Sequence, residues 1–112
     1  MDIKELLEEW NKSGVVKLTV REHRVRLSVH DAARIAALAE MYPRKTEEQL
    51  ITELLSAALD TLEAALPYQQ GDRVITEDEL GDPIYEDVGP TPRFLALTRQ
   101  HAARLTKEAG DA

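Results

Sequence analysis

The stretch from Glu47 to Leu66 limits the fold more than any other part of the chain. Its apolar residues Leu50, Ile51, Leu54, Leu55, Ala58, Leu59, Leu62, Ala65 and Leu66 recur at the three- and four-residue spacing of one helical face. Thr52, Glu53, Ser56, Asp60 and Glu63 hold the opposite side. At 1.5 Å per residue this is a helix of about 30 Å. The stripe is wider than one neighbouring helix needs, so it predicts burial against two partners at once. A chain of 112 residues has room for one modest domain, so the second partner is expected to be another copy of the same chain. The expected dimer core is therefore Leu50, Ile51, Leu54, Leu55, Ala58, Leu59 and Leu62.

The residues just before this helix explain where it begins. Thr46-Glu47-Glu48-Gln49 has the form of a capping box, in which the Thr hydroxyl accepts from the third helical amide and Gln49 reaches back. Upstream, Ser28-Val29-His30-Asp31 forms a second helix start, followed by Ala32, Ile35, Leu38, Ala39 and Tyr42 on one face and stopped by Pro43. Before Ser28 the period changes from helical to alternating. Val16, Leu18 and Val20, then Val25, Leu27 and Val29, alternate with polar residues and predict two short strands, 15–20 and 24–29. Ile3, Leu6, Leu7 and Trp10 predict an N-terminal amphipathic helix that ends near Ser13-Gly14.

Past Pro67 the chain turns to Gly, Pro and acids. Arg73 to Thr76 and Ile84 to Val88 suggest a small hairpin, and Thr91 with Pro92 opens a last helix carrying Phe94, Leu97, His101, Ala102 and Leu105 on one face. The expected class is α+β and mostly helical. Its expected parts are an N-terminal helix (1–13), a core of strand or hairpin plus two helices (14–67), an acidic loop or hairpin (68–90) and a C-terminal helix with its tail (91–112).

Composition removes several functions. With 43% hydrophobic and 31% charged residues the chain is neither disordered nor a lipid-embedded protein, and its longest apolar run, Ile35 to Ala39, is far short of a membrane span. The opening MDIKELLEEW is acidic and amphipathic, which is not the pattern of a signal peptide, so a cytoplasmic location and no membrane partner are expected. There is no cysteine, which excludes thiolate metal sites and a Cys nucleophile. His30-Asp31 reads as the first turn of a helix, with Asp31 pairing to Arg34, and His101 as a buried, hydrogen-bonded side chain. The acids between Glu77 and Asp87 lack the ligand spacing of a calcium loop. No enzyme activity, cofactor or metal is expected.

The net charge of -7 argues at first against nucleic acid, but it is an average. Residues 1–10 carry one base and four acids, residues 11–45 eight bases and three acids, and residues 46–112 five bases and fourteen acids. A basic strand-and-helix segment therefore sits in an acidic chain. Within it Arg24 and Arg26 fall on one strand face, opposite the apolar one. Such arginines either blunt a sheet edge, stay solvated, or read base edges and phosphate.

The stretch VRLSVHDAARIAALAEMYPRKTEEQLITELLSAAL, residues 25–59, resembles the ribbon-helix-helix family of bacterial DNA-binding proteins (Arc/MetJ-like). The likeness rests on a short strand ending in Arg-Leu-Ser, the Ile35-x-x-Leu38-Ala39 spacing, a turn, and a capped second helix opening with Leu50-Ile51. The resemblance implies a dimer whose two strands form an antiparallel ribbon in the major groove. It implies that Arg24, Arg26 and Ser28 face the bases, and that Arg44, Lys45, Thr46 and the amides of Glu47 and Glu48 face phosphate. Over its full length the chain is also similar to small bacterial proteins that automated naming calls type 1 pili tip components, although it shows neither the export signal nor the cysteines expected of an exported subunit. The function expected from the first resemblance is a homodimeric transcriptional regulator, antitoxin-like in that its acidic C-terminal half would meet a second protein. The alternative expectation is a dimeric protein-interaction module that does not bind DNA.

Overall fold

A computed structural model describes residues 2–10 and 18–111. Among these the fold is α+β, with four helices and one two-stranded antiparallel sheet. Two compact units divide after Leu62.

In the first unit, α1 (Ile3–Glu9) starts at Asp2, whose carboxylate accepts from the Glu5 amide at 2.8 Å. The expected extension of this helix to residue 12 falls outside the described residues. α2 (Val29–Met41) starts where the capping pattern predicts: the Ser28 hydroxyl accepts from the Asp31 amide at 3.1 Å. α3 (Glu47–Ala65) opens on the predicted capping box, with the Thr46 hydroxyl accepting from the Gln49 amide at 3.1 Å and Gln49 Oε1 accepting from the Thr46 amide at 2.9 Å. Both exchanges satisfy donors that a helix start leaves without an intrahelical acceptor.

The core of this unit lies where α1 meets α3. Leu6, Trp10, Leu50 and Ala57 are buried, with Ile35, Leu38, Ala39, Tyr42 and Leu54 packed around them. Trp10 meets the Tyr42 ring edge-on, centroids 5.2 Å apart. The N-terminal helix, expected as an appendage, thus belongs to the core. α3 buries the edge of its face that carries Leu50 and Ala57, while Leu55, Leu59 and Leu62 stay 55, 46 and 51% exposed.

The two predicted strands do not form among the described residues. Residues 15–17 lie outside them, residues 18–28 enter no ladder, and Val29 is already helical. A ladder needs a second strand to pair amides and carbonyls, and among the described residues none lies beside this segment.

In the second unit, β1 (Gln70–Glu77) and β2 (Pro83–Asp87) form the expected hairpin, with irregular register on either side of Val74. Its turn is built on Asp78, whose carboxylate accepts from the amides of Leu80 and Asp82, both at 2.9 Å. Gly81 has φ +82°, a conformation that favours glycine. At the other end Asp87 accepts from the amides of Gln69 and Gly89, and a Cβ on Gly89 would come 2.5 Å from the Pro67 carbonyl oxygen. α4 (Pro90–Asp111) begins at Pro90 rather than Pro92; either proline loses nothing by lacking an N–H at a helix start. His101 is exposed rather than buried, and it lies 3.2 Å from the Arg104 guanidinium. No described helix is long and apolar enough to cross a membrane.

Candidate nucleic-acid interface

The base-facing residues suggested by the sequence lie together on the segment that leads into α2. Arg24 and Arg26 are exposed, and among the described residues no hydrogen bond or ion pair engages either of them. Ser28 is exposed too, but its hydroxyl oxygen is already the acceptor that starts α2, which leaves its O–H and one lone pair for another partner. Next along the chain, Asp31 is paired with Arg34. The Arg34 guanidinium, and after it the Ser28 hydroxyl, hold the Asp31 carboxyl below the ordinary carboxylate range. This leaves His30-Asp31 as the structural helix start that the sequence suggested.

The phosphate-facing group is less uniform. Arg44 is exposed. Lys45 is engaged within the chain: its ammonium donates to Glu53 Oε1 at 2.6 Å, with the two side chains only 15 and 24% exposed. Thr46 has both its amide and its hydroxyl oxygen in the capping box. The amides of Glu47 and Glu48 are the donors of this first turn left over for a ligand. Their own carboxylates suit the helix dipole and oppose an approaching phosphate.

The proposed dimer residues separate into two groups. Leu50 is wholly buried inside the single chain, and Ile51 and Leu54 are half-buried. Leu55, Ala58, Leu59 and Leu62 are open. Beside them lies a cavity of about 590 Å³ walled by Ile3, Leu27, Ile35, Leu38, Ile51, Leu54, Leu55 and Ala58, with Asp31 and Arg34 its only charged lining. Leu27 lines this groove although it is 41% exposed, while Val25 and Val29 are 68 and 89% exposed, so the alternation read from the sequence does not appear as alternating burial.

Sequence reasoning passed over Ala57 and misplaced Glu53, which it set on the solvent side of α3. Glu53 shares the inner edge with Leu50 and Ala57, and its Oε2 is buried without a partner. The available signal was Trp10: a lone tryptophan on a short amphipathic helix requires an apolar surface to cover it. Among the described residues no group of His, Cys, Asp or Glu is arranged to hold a metal ion. No protein-family model, curated protein or solved structure matches the chain.

Proposed function

We propose that the chain is a homodimeric DNA-binding regulator of the ribbon-helix-helix kind, built on residues 18–62. The observation that carries this reading is the segment 21–28. Among the described residues it pairs with no strand; it presents Arg24 and Arg26 to solvent, and Leu27 lines an apolar groove. A second copy placed against that groove would cover Leu55 and Ala58 and bring its own segment 21–28 alongside. Backbone groups of residues 22–28 in both copies would then pair in one ribbon, with four arginines on its outer face.

Titration of a labelled duplex library tests the proposal. Binding should be clear at about 50 mM salt and weaken steeply by about 200 mM, as counterion release requires. Arg24→Ala with Arg26→Ala should abolish it while the mass in solution stays that of a dimer. No binding to any duplex at low salt would refute the regulator.

One observation favours a second reading, a dimeric interaction module without DNA binding. Lys45 is held by Glu53, and Glu47 and Glu48 place carboxylates at the helix start meant for phosphate. A dimer that fails to bind DNA in the same titration is the result this reading expects.

A further inference from the structure

The reading above makes no use of residues 63–111, whose two elements carry opposite charges. On α4, Phe94, Leu97, Ala102 and Leu105 form a stripe lining two adjoining open hollows of about 440 and 450 Å³. Arg93, Arg104 and Lys107 fall along one flank of that stripe at helical spacing, and over its whole length α4 has four basic residues against two acids. The hairpin is the reverse. Residues 68–89 hold seven carboxylates and a single arginine, Arg73, yet Val74, Ile75 and Ile84 on its strands are 48, 59 and 38% exposed. A two-stranded hairpin is marginal in water unless a helix or a further strand covers its apolar side. The chain's own α4 does not complete that cover: Val74, Ile75 and Ile84 stay exposed, and on the helix Leu97 and Ala102 are exposed while Phe94 and Leu105 are half-buried.

We infer that a second copy provides it: the basic-edged stripe of α4 in one copy seats on the acidic, apolar hairpin of the other, and a two-fold axis repeats the contact. Charge selects this crossed arrangement. Pairing α4 with α4 sets arginines against arginines, and pairing hairpin with hairpin sets carboxylates against carboxylates, whereas the crossed contact joins opposite signs on both sides. An anionic membrane suits the stripe less well. His101 lines the same hollow as Leu105, and the last hairpin acid, Asp87, lies three residues before the helix start at Pro90. The surface is distinct from the groove of residues 2–62 and does not depend on DNA being bound.

The natural absence of cysteine permits a direct test on the full chain. Leu97→Cys and Ile75→Cys are purified separately, mixed in equal amounts and mildly oxidised. A disulfide-linked product of about twice the 12.6 kDa chain mass is expected, made mainly from one chain of each kind. Adding Arg93→Glu and Arg104→Glu to the Leu97→Cys chain should lower its yield about tenfold, since like charges then face each other. Adding Leu55→Asp, which attacks the other groove, should leave the yield unchanged, so failure of the regulator reading and failure of this one are read separately. The inference is overturned if Leu97→Cys cross-links to itself as readily as to Ile75→Cys, if the mixture gives no product, or if Leu55→Asp removes it. It is also overturned if the native chain binds phosphatidylserine vesicles through Arg93 and Arg104.

Discussion

Leu50→Ala measures how much of the first unit rests on the contact between α1 and α3. Among the described residues Leu50 is the largest side chain with no exposure at all, and it shares its cluster with Leu6, Trp10 and Ala57. The substitution removes three carbons, about 2.4 kcal/mol at ~0.8 kcal/mol per buried group. The cavity left behind raises the loss to about 3–4 kcal/mol, inside the usual range for this exchange. Urea unfolding followed by far-ultraviolet circular dichroism reads it directly. With a slope of about 1 kcal/mol per M for so small a unit, the midpoint falls by about 3 M, or the unit is unfolded from the start. Trp10, the only tryptophan, is 8% exposed and adds a local reading, because its emission shifts to the red as α1 leaves α3. Leu55→Ala is the control: at 55% exposure it should cost less than about 1 kcal/mol in dilute protein. A second copy on the groove makes that cost grow with protein concentration, as mass action requires. A loss below about 1 kcal/mol for Leu50→Ala, or an equal loss for both variants in dilute solution, would refute the placement of the core.

Three further outcomes are expected. Thr46→Ala removes one half of the capping box and should cost about 1 kcal/mol, visible as lower helicity and an earlier urea midpoint. Lys45→Met strands the half-buried Glu53 carboxylate and should cost about 1–3 kcal/mol, whereas Lys45→Met with Glu53→Met should return within about 1 kcal/mol of the native chain, measured as a double-mutant cycle. Asp31 titrates below the ordinary carboxylate range when folded, so its contribution is complete above about pH 4 and is lost as the pH falls through its lowered folded value. Asp31→Asn should remove that acid-side part of the stability profile and leave the neutral range flat.

Local signals in the sequence carried the helices well. Ser28 and Thr46 cap α2 and α3 in the manner their spacing predicts, because a cap is decided within four residues. The hairpin was legible for a similar reason, its turn being written in Asp78, Gly81 and Asp82. Long-range contacts were not. Alternation in Val25 and Leu27 describes a residue pattern that suits a strand, but a ladder also requires a neighbour, and periodicity does not say whether the chain supplies one. The stripe of α3 led to an expectation of two partners, without revealing that Trp10 and Leu6 take the Leu50–Ala57 edge while Leu55, Leu59 and Leu62 stay exposed. Glu53 was misread because a charged residue between leucines looks solvent-facing until its counterion, eight residues upstream at Lys45, is seen beside it.

That same pairing changes what the basic segment offers to DNA. The sequence counts eight bases in residues 11–45, but in the folded first unit Arg34 is held by Asp31 and Lys45 by Glu53. Among the described residues Arg21 is also engaged within the chain, and Arg24, Arg26 and Arg44 remain exposed with no ion pair. In the proposed dimer they would make six cations, and with about 0.9 counterions released per neutralised phosphate the salt slope of the proposed binding would be at most about −5. Repulsion from the rest of an acidic chain is screened beyond about 8 Å at physiological salt, so it slows approach more than it opposes contact. Non-specific affinity should therefore be weak, leaving most of the binding free energy to base edges, where two arginines per copy are suited to guanine. Titrations at several salt concentrations on a selected and a scrambled duplex measure both quantities. A slope steeper than about −8, or equal affinity for the two duplexes, would show that cations beyond these six carry the interaction and would refute the assignment of Arg24 and Arg26.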